Sequence, residues 1–305
     1  MTTTNSNMLS GILKNKTILV TGATGFIGRN LLKRLSEYGP SIIAVTHSND
    51  SISLPVEKIC YDGSYQSLFA PVAERKIDFV VHLATQFLTN HKPEQISALI
   101  DANVKFGTHL LELTRQKQIP YFINTSTYAE YYQHDGYNPQ NLYAATKYSF
   151  EAILKYYEGV TKTRYITLEL TDTYGPGDSR PKFINLVLDA IMKKEVFKMS
   201  LGEQEICYLY IDDAVNAFIT CIGLMAENAI SANDHFSVYA DEVYKLKNLV
   251  ALVAKYMNTH LETNAGFYPY RDREIMSFQP SFPKLPDWNS KITLKEGLDL
   301  ITAKA

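Results

Sequence analysis

The sequence predicts an α/β protein built on a doubly wound parallel sheet, with a smaller C-terminal lobe. Short apolar, β-branched runs alternate with helical patterns through the first half of the 305-residue chain. Each of these helices is long enough to connect two parallel strands and to cover a face of the sheet. Beyond Tyr174-Gly175-Pro176-Gly177 the alternation stops, and helices joined by short strand-like pieces predict the smaller lobe.

The predicted strands of the sheet are apolar runs bounded by turn residues. Lys16–Val20 is rich in β-branched residues and ends just before Gly22, which is typical of a buried strand. The other predicted strands, in chain order, are Ser41–Thr46, Val56–Tyr61, Asp78–Ala84, Pro120–Asn124 and Arg164–Leu170.

Helices are predicted where apolar residues recur at helical spacing. Ile27–Tyr38 ends before the stop signal Gly39-Pro40, Asn103–Gln116 is rich in Leu, and Leu142–Tyr157 is apolar along one face. The later predicted helices are Phe183–Lys194, Asp212–Met225, Lys245–Tyr256 and Thr293–Thr302, with a strand-like piece at His235–Tyr239 and an irregular stretch at Phe267–Pro286.

Composition excludes several classes of protein. Thirty basic and thirty-two acidic residues give a net charge of −2, which argues against a nucleic acid or a membrane surface as the main partner. The three cysteines are an odd, widely spaced set, as expected in a reducing compartment. We see no signal peptide and no apolar stretch of about 18 residues, so we expect a cytoplasmic protein. The histidine spacing predicts no metal site, and no GxSxG motif indicates a hydrolase.

A glycine-rich loop directly after the first strand is the strongest functional signal. Gly22 permits a tight turn, Gly25 lets the backbone approach a pyrophosphate, and Gly28 lets the following helix pack closely. The helix N-terminus then offers free N–H groups and a positive dipole end to the diphosphate. This context predicts a Rossmann-like domain that binds a dinucleotide. Thr24, Phe26 and Ile27 of the same loop are predicted to contact the cofactor.

The predicted division of the chain follows from this loop. Residues 14–175 would form the NAD(P)-binding Rossmann-like domain, to which some later segments return. Residues 176–305 would form mainly the substrate-binding lobe.

The end of the second strand bears on which nicotinamide cofactor binds. A carboxylate there would hydrogen-bond the ribose of NAD and would repel the extra phosphate of NADP. His47 and Ser48 occupy this place, the next acid is Asp50, and Arg29 or Arg34 lies on the adjacent helix. The residues favour NADPH and leave NADH open, although an ordinary polar turn has the same composition.

Tyr143 and Lys147 lie four residues apart, hence on one face of a helix. A nearby cation stabilises a phenolate, so the phenol exchanges its proton more readily. The pair is the only Tyr-x-x-x-Lys among 21 tyrosines, and a solvated helix face is the alternative interpretation. The preceding strand ends in Thr125-Ser126-Thr127. An open parallel sheet binds its ligand at the carboxyl ends of its strands, so a hydroxyl at this place can hydrogen-bond a carbonyl oxygen of the ligand. Helix or turn capping is the alternative for these hydroxyls.

Six motifs in chain order resemble the extended short-chain dehydrogenase/reductase family, in its nucleotide-sugar branch. They are TGATGFIG, VHLAT, Asn103 in NVKFGTHLL, Thr125, YAATK and TYGPGD. The resemblance implies a Rossmann domain for the cofactor and a C-terminal lobe for a nucleotide-diphosphate sugar. It implies that Tyr143 is the acid/base, that Lys147 tunes it and binds the nicotinamide ribose, and that Thr125 orients the carbonyl.

The same resemblance implies further roles. Asp62 after the third strand would contact adenine, and Leu83, Ala84 and Thr85 would lie beside the cofactor. Asn103 would be the buried asparagine of the fourth helix. Asp213 would be the acid that starts a C-terminal helix.

Within the branch, the residues favour carbonyl reduction. Dehydratases carry Asp-Glu directly after the catalytic Thr, where this chain has Ser126 and Thr127. Epimerases usually have an acidic residue at the end of the second strand, and this chain has none there. The spacing of 18 residues from Thr125 to Tyr143 and the segments GEQ and YRDREIM look like those of the CDP-abequose and CDP-paratose synthases. This resemblance implies NADPH-dependent 4-keto reduction of a CDP-4-keto-3,6-dideoxyhexose for the bacterial O-antigen of lipopolysaccharide, or of a GDP- or dTDP-4-keto-6-deoxy sugar.

The resemblance implies that Arg271 binds the substrate diphosphate, for which a bidentate guanidinium is suited, and a surface charge in a loop is the alternative interpretation. Thr85, Thr125 and Ser126 are further predicted substrate contacts. Two positions depart from the pattern of relatives, because Ile206 and Glu169 stand where an arginine is common. An NAD-dependent nucleotide-sugar epimerase and a non-catalytic dinucleotide sensor stay as alternatives. A homodimer through the helices after the fourth and fifth strands is also left open.

Overall fold

The computed structural model describes residues 3–47, 52–134 and 136–303. Its strands are β1 Thr17–Thr21, β2 Ser41–Thr46, β3 Glu57–Cys60, β4 Phe79–His82, β5 Tyr121–Thr127, β6 Arg164–Leu170, β7 Asp172–Tyr174, β8 Phe197–Met199, β9 Glu205–Tyr210, β10 Asp234–Val238, β11 Val243–Lys245 and β12 Thr263–Ala265. Its α-helices are α1 Thr3–Leu13, α2 Phe26–Ser36, α3 Tyr65–Phe69, α4 Ile96–Ile100, α5 Phe106–Gln116, α6 Leu142–Val160, α7 Phe183–Lys193, α8 Ile211–Ala226, α9 Leu246–Tyr256 and α10 Leu294–Thr302.

Seven parallel strands form the central sheet, in the order β10-β6-β5-β4-β1-β2-β3. Most residues of its inner strands are buried, because helices cover both faces of a parallel sheet, whereas the edge strand β3 is largely exposed. The strand order reverses between β1 and β4, and a ligand of such a sheet binds beyond the carboxyl ends of the strands at that point. The predicted doubly wound α/β class is confirmed.

Two hydrophobic cores lie on opposite faces of the sheet. Ile18 and Val20 of β1 belong to one core, together with buried residues of α2 and α8. Leu19, between them, belongs to the other core with Phe150 of α6 and Leu110 of α5. Successive side chains of a strand point to opposite faces, so this one strand contributes to both cores.

Elements from beyond Gly175 contribute to this sheet. Strand β10 pairs in parallel with β6, and α8 packs against α2. Smaller sheets, β11-β9-β7 and β12-β8, lie in the rest of the later chain. The division into residues 14–175 and 176–305 stays a prediction.

The structure adds two helical features that the pattern did not predict. Helix α1 precedes the first strand, and its Leu9 and Leu13 are buried against α8. The helix expected from Asn103 begins earlier, as α4, and passes through a π-helical turn over Asp101–Lys105 into α5. Among the described residues, no helix has the length and apolarity needed to cross a membrane.

Candidate active site

The glycine loop lies at the carboxyl end of β1, and its backbone is tightly packed. Gly22 has φ +66, and a Cβ added there would lie 2.6 Å from the backbone nitrogen of Ala84. A Cβ at Gly28 would overlap the carbonyl of Gly22, so helix α2 can approach the loop only with glycine there. Gly25 precedes α2, whose first turn contains no acidic residue. These features fit a dinucleotide diphosphate at the helix N-terminus.

Thr21 connects the glycine loop to the end of β4. Its Oγ1 accepts hydrogen bonds from the backbone N–H groups of Leu83 (3.2 Å) and Ala84 (3.1 Å) and lies 2.8 Å from His82 Nδ1. Since Thr21 Oγ1 already accepts from two N–H groups, its own proton can go to Nδ1, which would place the imidazole proton on Nε2. Burial first, and then the charge of Lys147, hold the pKa of His82 well below its usual value. His82 is therefore a neutral core residue.

Asn103 sits in the π-helical turn and joins three segments of the site. Its Oδ1 accepts from Thr85 Oγ1 (2.9 Å) and from the backbone of Gln86 (2.8 Å). Its Nδ2 donates to the Gln86 carbonyl (3.1 Å) and to Thr146 Oγ1 (2.9 Å), which in turn donates to the Tyr143 carbonyl (2.7 Å). The loop after β4 is thus fixed relative to the helix that carries Tyr143.

Tyr143 and Lys147 are buried side chains of the first turns of α6. Asn141 caps this helix by accepting a hydrogen bond from the Ala144 N–H (2.9 Å). The pKa of Tyr143 is raised, mainly by burial and then by the charge of Glu130, while its contact with Thr85 lowers it.

The pKa of Lys147 is lowered by burial, against the opposing effect of Glu130 and Glu151. Its expected role in tuning the phenol stays a prediction.

The hydroxyl run at the end of β5 is divided between the two faces of the strand. Thr125 and Thr127 share one face, and Ser126 points to the other, where α6 lies. The Oγ1 of Thr125 is buried and has no hydrogen-bond partner within the described part of the chain. The Ser126 hydroxyl instead donates to Glu130 Oε1 (2.6 Å). The Thr125 hydroxyl therefore lacks an internal partner, whereas that of Ser126 already has an internal acceptor.

A cavity of about 730 Å³ lies between the sheet edge and the later part of the chain. Its lining includes seven of the predicted site residues: Ile27, Leu83, Thr85, Thr125, Ser126, Tyr143 and Arg271. Ile206, which replaces the arginine expected at that position, is also part of the wall. Predicted cofactor and substrate contacts therefore face one shared space.

Several lining residues were not predicted. Lys182 forms an ion pair of 2.6 Å with Asp172 and lies over the ring of Phe87, 4.1 Å from its centroid. Asp172 also accepts a hydrogen bond from Tyr128 Oη (3.0 Å). Burial is the largest effect on the Asp172 pKa and would raise it, but Lys182 first and then Tyr128 give a net lowering. No sequence motif at these positions indicated the cluster.

Arg271 is at the cavity wall with its guanidinium already paired. Its Nε and Nη2 bond to the two oxygens of Glu274, at 2.9 Å and 2.7 Å. This pairing raises the pKa of Arg271. A substrate diphosphate at this place would share or displace Glu274.

Glu169 does not face the cavity. Its Oε1 accepts from Ser237 Oγ (2.6 Å) and from the backbone of Ser281 (3.1 Å). The Oε1 atom of Glu169 is therefore partnered internally, whereas its Oε2 is buried without a hydrogen-bond partner among the described residues.

The remaining predicted cofactor residues lie along the carboxyl edge of the sheet. His47, Asp62 and Thr24 are exposed, at the ends of β2 and β3 and in the glycine loop. Asp62 accepts a hydrogen bond from the Ser64 N–H (2.8 Å), which lowers its pKa. Ser48 lies outside the described residues.

Other side chains near this edge have internal partners. Phe26 is buried, with the guanidinium of Arg180 4.6 Å from its ring centroid, so only its backbone is free for a ligand. Arg29 donates to the Gly177 carbonyl and Arg34 to Glu37. Both guanidinium groups therefore have partners within the described residues. The described segments contain no cluster of three or more His, Cys, Asp or Glu that could hold a metal ion.

Comparison with known proteins gives consistent results. The family described as NAD dependent epimerase/dehydratase matches residues 18–238. A CDP-abequose synthase of Salmonella muenchen is 30% identical over 93% of this chain and 96% of its own length. One from Salmonella typhimurium is 28% identical, with 92% and 96% covered. The crystal structure of a Thermotoga maritima UDP-glucose 4-epimerase with UDP-glucose superposes with a TM-score of 0.81 at 21% identity, covering 94% of this chain and 98% of that one.

Proposed function

Because the chain belongs to the NAD dependent epimerase/dehydratase family, we propose that it is an oxidoreductase that reduces the 4-keto group of a nucleotide-diphosphate deoxysugar. The favoured substrate is a CDP-4-keto-3,6-dideoxyhexose, with NADPH as the reductant. The observation that carries the proposal is the shared cavity, which places the Tyr143 phenol and the unpartnered Thr125 hydroxyl beside the residues that flank the glycine loop.

The side chains of the cavity can perform a carbonyl reduction. Tyr143 donates its proton to the carbonyl oxygen, and Thr125 donates a hydrogen bond to the same oxygen. Both donors meet the negative charge that develops on this oxygen. When bound, the nicotinamide supplies the hydride. Gly22 and Gly25 would hold its diphosphate, and Lys147 would bind its ribose.

The substrate class is supported by the relatives and by the carboxylates of the site. The two Salmonella relatives are named for the synthesis of CDP-abequose. Dehydratases of this branch carry Asp-Glu directly after the catalytic Thr, and in this chain no carboxylate follows Thr125 directly. The cavity is therefore suited to reduction, with surface-polysaccharide synthesis as the wider role. The preference for NADPH over NADH rests on the absence of an acid between β2 and Asp50.

The test is NADPH consumption, followed by absorbance, with CDP-4-keto-3,6-dideoxyglucose and with NADH in parallel. We expect fast turnover with NADPH. Tyr143→Phe should lower kcat by about 10²- to 10⁴-fold and leave the Kd for NADPH unchanged, because only the proton donor is lost. Tyr148→Phe is the matched control, since this tyrosine is on the same helix but stacks on Tyr137.

Two outcomes would contradict the proposal. Turnover retained by Tyr143→Phe would exclude the phenol as proton donor. Isomerisation of a nucleotide sugar by protein that copurifies with NAD, without NADPH consumption, would favour the epimerase alternative.

A further inference from the structure

Phe87 is a large apolar side chain beside the proposed proton donor. It follows β4, it lines the cavity, and it is 46% exposed. The centroid of its ring lies 4.9 Å from that of Tyr143, with an interplanar angle of 79°. Ligand cavities are lined mainly by apolar and aromatic side chains, and a few polar groups orient the ligand. A phenyl ring in contact with the phenol is therefore placed to contact the sugar that the phenol binds.

The Asn103 network holds these two rings together. Asn103 bonds both backbone groups of Gln86, the residue directly before Phe87, at 2.8 and 3.1 Å. Through Thr146 it is also connected to the Tyr143 carbonyl. Asn103 and Thr146 are both buried, so this connection is shielded from water. The phenyl ring is thus a fixed part of the site, although it lies in a loop.

The polar groups around Phe87 already have partners. Lys182 Nζ lies over its ring, 4.1 Å from the centroid, and forms the ion pair of 2.6 Å with Asp172. Two residues before Phe87, Thr85 donates its hydroxyl proton to Asn103 Oδ1 at 2.9 Å. A ligand hydroxyl against the ring would have to share or displace one of these partners, or stay without one. A polar group that loses its bonds to water in this way is destabilised.

The chemistry of the proposed substrate gives the ring a role. When Tyr143 donates to the 4-keto oxygen, the two carbons bonded to the keto carbon, C3 and C5, lie next to the phenol. C5 carries a methyl group in every 6-deoxyhexose. C3 is a CH₂ group in a 3,6-dideoxyhexose and carries a hydroxyl in the corresponding 6-deoxyhexose. Beside the keto group, only C3 distinguishes these two sugars.

We propose that Phe87 is a specificity-determining residue, whose ring contacts C3 of the sugar and selects a substrate without a hydroxyl at that carbon. The proposal rests on the proposed reduction and names the residue that chooses between its candidate sugars. A CH₂ group is stabilised when it leaves water for the ring, whereas a hydroxyl at the same place loses its bonds to water. An apolar site of this kind rejects an added hydroxyl by up to about 100-fold.

The experiment compares two substrates that differ in one hydroxyl, CDP-4-keto-3,6-dideoxyglucose and CDP-4-keto-6-deoxyglucose. The ratio of their kcat/KM values with NADPH is the measure, and effects on nucleotide binding cancel because both sugars carry CDP. We expect the wild type to prefer the 3-deoxy sugar by about 10- to 100-fold. Phe87→Ser should lower this preference by about 5-fold or more, because a hydroxyl and water replace the ring. Phe87→Leu should keep most of it, because leucine is apolar.

Phe267→Ser is the matched control. Phe267 is 48% exposed, its ring centroid lies 4.8 Å from that of Tyr268, and Lys198 Nζ lies 4.5 Å from it. It therefore has the same kinds of neighbours as Phe87, a tyrosine ring and an ammonium group. Phe267 is not among the residues that line the cavity, so its loss should leave the preference unchanged.

A second readout needs no turnover. CDP-3,6-dideoxyglucose and CDP-6-deoxyglucose carry an alcohol in place of the keto group and differ in the same hydroxyl. Titration calorimetry on the protein without cofactor gives the Kd of each. We expect the 3-deoxy sugar to bind more tightly to the wild type and to Phe267→Ser, and the two Kd values to approach each other in Phe87→Ser.

The outcomes separate the two proposals. If the wild type reduces the 3-deoxy sugar but shows no preference, or Phe87→Ser keeps the whole preference, the role of Phe87 is overturned and the reduction stands. If the wild type reduces neither sugar, the proposed reduction of these CDP sugars fails, and the Kd values decide the role of Phe87 alone. A preference in Kd that only Phe87→Ser loses would support it. A preference that this variant keeps, equal Kd values or no binding would overturn it.

Discussion

Asn103→Ala should destabilise the protein far more than a typical polar-to-alanine change. Asn103 is 1% exposed and makes four hydrogen bonds, to Thr85, to both backbone groups of Gln86 and to Thr146. Each contributes about 1 kcal/mol net, and the Gln86 backbone groups lose their partner inside a partly buried loop. Thr85 is exposed, so water can replace its lost hydrogen bond and reduce the total cost. We therefore expect a loss of about 2–4 kcal/mol in the free energy of unfolding.

Urea unfolding at equilibrium measures this loss. Asn30→Ala is the control, because the Asn30 side chain makes one hydrogen bond, of 2.8 Å, to the Phe26 carbonyl of its own helix. Its cost should be below about 1 kcal/mol. Similar losses in the two variants would refute the view that Asn103 stabilises the site through its network. The kcat of Asn103→Ala should also fall, because the loop that carries Thr85 is no longer fixed relative to Tyr143.

Two further changes test the glycine loop and the buried imidazole. Gly22→Ala and Gly39→Ala both place alanine at positive φ, but only the Cβ added at Gly22 meets the backbone of Ala84. Gly22→Ala should therefore lose much more stability and much more NADPH affinity than Gly39→Ala. Equal losses in the two variants would contradict the packing argument. The pKa of His82 is lowered in the folded state, so the neutral imidazole stabilises the fold above about pH 6.5. As the pH falls below that value, the free energy of unfolding should fall by up to about 1.4 kcal/mol per pH unit. His82→Gln should flatten this dependence in urea unfolding from pH 7.5 to 5.5, and parallel curves for the two proteins would refute it.

The sequence predicted the features that depend on local pattern. The glycine loop follows from the need for tight turns and close packing, and the resemblance to extended short-chain dehydrogenases/reductases is confirmed. The Tyr143–Lys147 pair could be identified from the sequence, because a spacing of four residues puts both side chains on one helix face. These signals lie within short stretches of chain.

Features that depend on distant contacts were not predicted. Helix α1 has a mainly polar sequence, and only packing of Leu9 and Leu13 on α8 explains its place in the fold. Glu130, in the turn after β5, was not predicted as a site residue. The pattern Thr127-x-x-Glu130 is that of a capping box, which could have indicated an ordered turn there, but not that the Glu130 carboxyl is buried.

The position of β10 at the edge of the central sheet has a consequence for how the chain is made. Strand β6 acquires this neighbour only after residues 171–233 have been synthesised, and α8, which covers α2, belongs to the same stretch. On the ribosome, the sheet therefore has an unpaired, apolar edge at β6 until most of the chain has emerged. The sheet that carries the glycine loop is therefore completed by β10 and α8, which follow it in the chain. We expect the two to fold as one cooperative unit, and not as exchangeable modules.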